Sequence, residues 1–143
     1  MSAAKRLVID ANILLRGVFG WRVGDLLATY NETVAFYAPD FCVEEAYKHV
    51  PRIARQRRIV PSESEAILNQ LLNSFVSIVN KSLYEEFEQR ARARISRRDP
   101  GDWPVVTTAL LLDAPIWSED RDFFGTGVAT WTSDRIELYL RNT

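Results

Sequence analysis

The sequence predicts an α/β fold: a three-layer α/β/α arrangement around a mostly parallel central sheet of about five strands. Two observations point to it. Short apolar runs rich in β-branched or aromatic residues (KRLVID, TVAFYAP, FVSIVN, PIWSED and VATWT) alternate with longer segments of helical spacing. No repeat, low-complexity tract or linker interrupts that alternation, and 143 residues with 47% hydrophobic content suit one domain over residues 1–143 with its own core.

Taken in order, KRLVID reads as a buried strand, with Asp10 at its carboxyl end and the apolar stretch ILLRGVF opening a helix. Val23 to Tyr30 carries helical spacing, Asn31 and Glu32 stop it, and TVAFYAP forms a second strand ended by Pro39. In DFCVEEAYKHVPRIARQRR the apolar positions fall at helical intervals, with Asp40 as the expected N-cap and Pro51 expected to kink or end the helix. Ser62 and Glu65 have capping-box spacing, and Ile67, Leu68, Leu71, Leu72 and Phe75 share one helical face. After the strand FVSIVN, SLYEEFEQRARARI reads as an amphipathic helix with Leu83, Tyr84, Phe87, Ala91 and Ile95 on one side. RDPGD is a turn, WPVVTTALLLDA an apolar helix with Pro104 in its first turn, PIWSED and VATWT are strands, and DRIELYL closes the chain as a helix.

Composition excludes several function classes. Cys42 is the only cysteine, so an internal disulfide and a cysteine-built zinc site are excluded, and the residue reads as a small buried hydrophobe. The opening MSAAKRLVIDANILL has a brief apolar run broken by Asp10 and Asn12, too short for a secretory core or a membrane span, so a cytoplasmic location is expected. Net charge is −1, far from the strongly basic balance of a non-specific nucleic-acid binder, but its distribution is uneven. RIARQRR holds Arg52, Arg55, Arg57 and Arg58, and RARARISRR holds Arg90, Arg92, Arg94, Arg97 and Arg98. Arg52, Arg55, Arg97 and Arg98 are candidate phosphate contacts, although such a run is by default a solvated helix face. His49 is read as ordinary surface, and Trp21, Trp103, Trp117 and Trp131 as packing residues.

In open α/β sheets ligands bind beyond the carboxyl ends of the strands, and acids collect at those positions here. Asp10 follows the first strand, Asp102 starts the helix after RDPGD, Asp120 and Asp122 follow PIWS, and Glu44 or Glu45 lies early in the helix after the second strand. Carboxylates brought together repel unless a cation holds them, and hard oxygen donors suit Mg²⁺ or Mn²⁺ rather than zinc. Such an ion permits phosphodiester hydrolysis without a histidine or cysteine nucleophile. Each acid alone also reads as a helix cap or loop residue; their occurrence after separate strands makes the metal reading economical.

VIDANILL, APDFCVEEAYKHV, DPGDWPVVTTALLLDAPIWSEDRDFF and VATWT together resemble the successive signature blocks of the PIN-domain family, including its VapC-like toxin ribonucleases. The resemblance spans nearly the whole chain except Arg52 to Ile95. It implies metal-dependent cleavage of single-stranded or structured RNA and, for small bacterial members, a toxin restrained by a cognate antitoxin. Carried over residue by residue, Asp10, Glu45, Asp102 and Asp120 form the acidic catalytic set. Asp10, Asp102, Asp120 and Asp122 become the metal candidates, with Asp122 acting at the rim or through water. Asn12 and Ser118 would orient them by hydrogen bonds. VEEA also offers Glu44 and RDPGD also offers Asp99; Glu45 is preferred because an apolar residue follows it, and Asp102 because it begins a helix.

Other readings remain open. A non-catalytic PIN-like module would bind RNA or protein without turnover. An aspartyl-phosphate phosphatase or receiver domain also places Asp after its first strand, but needs a late lysine, and the only lysines are Lys5, Lys48 and Lys81. Phe19, Trp21 and Leu26 are expected to seat an antitoxin segment or the second copy of a homodimer.

Overall fold

A computed structural model describes residues 5–95 and 103–141. Its first strand, β1 (Lys5–Ile9), has Leu7, Val8 and Ile9 buried in succession. Three consecutive buried side chains on a strand, whose residues alternate between faces, require cover on both sides of the sheet. Leu7 and Ile9 join one core cluster; Val8, pointing the other way, joins a second.

Helices α1 (Ala11–Phe19), α2 (Arg22–Tyr30), α3 (Asp40–Gln56), α4 (Pro61–Phe75) and α8 (Ile136–Leu140) contribute to the first core. Helices α5 (Lys81–Tyr84), α6 (Glu88–Ile95) and α7 (Trp103–Leu112) build the second. Between them, β2 (Val34–Pro39), β3 (Val76–Val79), β4 (Ile116–Trp117) and β5 (Thr130–Trp131) join β1 in one all-parallel sheet of order β3-β2-β1-β4-β5. The expected three-layer α/β/α architecture with five strands is therefore present. No described helix is long and apolar enough to cross a membrane.

Several local expectations need correction. Pro51 does not end α3, which continues to Gln56. One missing backbone donor is outweighed there by the buried face of Val43, Ala46, Val50 and Ala54, which spans both sides of the proline. Asp40 is the first residue of α3 rather than its cap, and its carboxylate accepts from the Lys81 amide (3.0 Å) and the Tyr84 hydroxyl (2.8 Å), tying α3 to α5. The Ser62–Glu65 capping box is not used: Pro61 begins α4, Val60 precedes it, and no side chain caps it. The helix expected over SLYEEFEQRARARI is divided into α5, a 3₁₀ turn (Glu85–Phe87) and α6, and Leu83 is exposed. Ile67 also leaves the buried face of α4.

Helix α1 crosses α4 closely at Gly17, where an added Cβ would lie 2.9 Å from the Leu71 side chain; at Gly24 on α2 the corresponding distance is 3.9 Å. The two glycines therefore predict opposite outcomes in thermal unfolding. Gly17→Val should overpack the crossing and destabilise by about 1–3 kcal/mol, whereas Gly24→Ala should be neutral or stabilise by up to about 1 kcal/mol through helix propensity. Equal shifts for both variants would contradict the crossing geometry.

Candidate functional site

The strand order positions the site. The chain runs outward through β1, β2 and β3, then returns to place β4 on the other side of β1. Connections thus diverge between β1 and β4, and a crevice is expected at the carboxyl ends of those two strands. Asp10 leaves β1 and Ser118 leaves β4 at that point, set level by the pairing of Ile9 with Trp117.

Asp10 is 6% exposed and caps α1, accepting from the Ile13 amide at 3.0 Å. Its other carboxylate oxygen accepts a hydrogen bond from the buried Ser118 hydroxyl. Ser118 Oγ in turn accepts from the Asp120 amide (2.9 Å), and Asp120 Oδ1 accepts from the Asp122 amide (2.9 Å). A continuous hydrogen-bonded chain therefore links Asp10, Ser118, Asp120 and Asp122. It arises because the residues after β4 turn immediately into a 3₁₀ segment, Arg121–Phe123, capped by Asp120.

Burial raises the Asp10 carboxyl to about pH 6, opposed by the hydrogen bonds from Ser118 and Ile13 and reinforced by the negative charges of Asp120 and Glu119. Oxygen is the only donor type in this group, which fits a hard divalent cation, and a cation would relieve the cost of ionising a buried carboxylate. Among the described residues, however, no three acids, histidines or cysteines converge closely enough to enclose an ion. Asp99, Asp102, Arg97 and Arg98 lie outside the described residues.

The remaining candidates are dispersed. Glu45 is half-buried on α3 and lies 3.7 Å from His49, which is 3.3 Å from Arg52. Glu44 is exposed, and its charge acts on Tyr84, whose hydroxyl is also held by Asp40. Asn12 lines the groove beside the site, and no hydrogen bond joins it to Asp10. Arg52 and Arg55 are exposed. Of the three residues of the expected docking patch, Leu26 is 3% exposed and belongs to the core, whereas Phe19, its ring 5.5 Å from the Arg57 guanidinium, and the exposed Trp21 line one groove. Trp103 and Trp117 are buried as packing residues, but Trp21 is not.

Two residues escaped the sequence reading. Glu119 accepts from the Ser133 amide (2.5 Å), and the Ser133 hydroxyl accepts from the Trp117 indole (3.0 Å), so the polar turn after β5 joins the same edge. Polar TSD directly after the fifth strand was the available signal, by the same strand-end rule that selected Asp120.

The PIN domain model matches residues 8–141. This chain belongs to the PIN-domain family. None of the curated proteins matches it. Among solved structures, its fold is similar to that of VapBC2 from Rickettsia felis bound to a DNA fragment from their promoter, with TM-score 0.71 and 10% identity over 89% of this chain and 98% of that one. PAE2754 from Pyrobaculum aerophilum gives TM-score 0.70 and 19% identity, covering 96% and 89%. FitAcB from Neisseria gonorrhoeae gives 0.57 and 15%, covering 87% and 96%.

The raised Asp10 carboxyl predicts a pH dependence of stability in EDTA. The folded value near 6 exceeds the ordinary 3.8, so the folded state holds this proton more tightly. Its contribution is complete below pH 4 and is lost as pH rises through 6, by about 3 kcal/mol. Asp10→Asn should remove that loss, giving a melting temperature at pH 7.5 no lower than that of the parent. A parent protein with no such decline relative to Asp10→Asn between pH 4 and 7 would contradict it.

Proposed function

We propose that this PIN-domain protein is a metal-dependent endoribonuclease that cleaves RNA phosphodiester bonds, acting as the toxin of a type II toxin–antitoxin pair. The observation that carries the reading is the buried Asp10 carboxylate, joined through one serine hydroxyl to Asp120 at the switch point between β1 and β4. An acid is held there against its own desolvation cost, in a family whose signature blocks the sequence resembles.

In this reading Asp10, Asp102 and Asp120 hold Mg²⁺ or Mn²⁺, and Asp122 assists from outside. Such an ion, when bound, would lower the pKa of a water and stabilise charge on the phosphoryl oxygens. The chain's own part is positioning. Ser118 donates to Asp10 and accepts from the Asp120 backbone, so one hydroxyl sets the relative orientation of the two acids. The Asp122 amide occupies Asp120 Oδ1, which directs that carboxylate's remaining lone pairs. Asn12 would act from the rim, and Glu45 completes the catalytic set in preference to Glu44. Asp99 remains the substitute for Asp102.

An antitoxin is the expected protein partner, supported by the likeness of the fold to the solved VapBC2 and FitAcB. A homodimer in the cytoplasm completes the reading.

The test is cleavage of a mixed RNA pool by the purified protein with Mg²⁺, with Mn²⁺ and with EDTA, beside Asp120→Asn, Glu45→Gln and Glu44→Gln. Metal-dependent cleavage should fall by about a hundredfold or more in Asp120→Asn and Glu45→Gln, and change little in Glu44→Gln. RNA left intact by the parent protein in every condition would leave the non-catalytic binding module as the better reading.

A further inference from the structure

Beside the acidic edge lies a groove of about 590 Å³, formed by α1, the start of α2 and the later part of α3. Its volume is in the ~300–1,000 Å³ range of sites that take small ligands. Asn12, two residues after Asp10, and Glu119, directly before Asp120, line it, so the groove opens onto the candidate site. Apolar Leu15 and Ile53 contribute to its lining, while Arg16, Arg22 and Arg57 bring three guanidinium groups. A chain of net charge −1 has thus gathered local positive charge next to its acids.

Trp21 also lines this groove and is 75% exposed, the most exposed of the large hydrophobic side chains. It stands at the junction of α1 and α2, immediately after Gly20, whose amide is bonded to the Arg16 carbonyl at 2.9 Å. The ring is therefore carried on anchored backbone yet is left in water. Arg57 is steadied by the Phe19 carbonyl (3.2 Å) and ring, and Arg22 by the Ser133 carbonyl (3.5 Å) and by Glu137 (3.7 Å); Arg16 has no side-chain hydrogen bond or ion pair among the described residues.

We propose that this groove binds unpaired RNA, with Trp21 as the platform on which a base stacks and Arg16 and Arg57 on the adjoining phosphates. An exposed indole beside several guanidiniums complements a polyanion whose units each carry a flat apolar face. Duplex is excluded because its base faces are already stacked on one another. Leu15, Phe19, Val23 and Ile53 also line the groove, so its floor is apolar; the three guanidiniums around that floor are what favour a polyanion over a protein segment. The inference rests on the nuclease reading for its substrate class, unpaired RNA included, and adds the residues that would hold that strand.

Binding is separable from cleavage and should be measured as fluorescence anisotropy of a short labelled RNA in EDTA, single-stranded and annealed to its complement. The parent protein should prefer the single strand. Trp21→Ala should weaken that binding by about tenfold or more, with Trp21→Phe retaining most of it. Arg16→Ala should lower the slope of log affinity against log salt by about 0.7. Parent-like affinity in Trp21→Ala would overturn the groove assignment, even if Asp120→Asn still abolished cleavage and so upheld the nuclease reading. Unchanged RNA affinity with loss of a co-expressed antitoxin would assign the groove to protein instead. A parent protein that neither binds nor cleaves RNA would remove the nuclease reading and this inference together.

Discussion

The structure turns on a carboxylate that is almost wholly buried. Asp10 directly follows the central strand of the sheet, and the start of α1 and the residues after β4 close around it. Burying an ionisable acid costs several kcal/mol unless its charge is met. The chain meets part of that cost with two donors, the Ile13 amide and the Ser118 hydroxyl. It adds to the cost with the negative charges of Asp120 and Glu119. Folding alone would be served by an asparagine, which could cap the same helix without the charge. A buried acid made harder to ionise by its acidic neighbours gains nothing from packing, and the proposed metal-holding role accounts for it.

The parallel sheet makes this arrangement possible. In β1 the alternation of Leu7, Val8 and Ile9 between the two cores locks the strand in register, because a one-residue slip would exchange the two faces. Register then fixes where the chain emerges. Ile9 lies opposite Trp117, so the next residues on each strand, Asp10 and Ser118, meet without adjustment of either loop. The short hydroxyl bridge follows from hydrophobic packing well below it. Core residues that never approach the site therefore determine its geometry.

How far this was legible depended on whether the information was local or relational. Apolar runs flanked by turns exposed all five strands, and with them the positions of Asp10, directly after β1, and Asp120, three residues after β4. Ser118 was legible for the same reason. The partnership of Glu119 with Ser133 was not, since it needs β5 laid beside β4, a pairing that no local pattern specifies. Helix faces failed where two surfaces compete: Leu26 has the spacing of either an exposed patch or a core face, and only packing decides for the core. Pro51 failed because propensity counts a lost hydrogen bond locally, while the buried face of α3 is stabilised along its whole length. Trp21 reads both as a packing residue and as part of an exposed docking patch, and only the built α1–α2 junction decides for exposure.

In the proposed reading, a chain of nearly neutral net charge must both hold acids and address a polyanion. The carboxylates at this edge repel phosphates at a distance, and Asp10 has no cationic side chain bonded to it among the described residues. Attraction must come from elsewhere on the surface, within roughly a Debye length of about 8–10 Å, to be felt at physiological salt. Arginines placed in the acid site itself would pair with the carboxylates and compete with a metal for them. Arginines placed in the adjoining groove, oriented by the Phe19 and Ser133 carbonyls, contribute to the field without occupying the acids. Division of charge between pocket and groove resolves the conflict that a uniformly basic or uniformly acidic surface would leave in place.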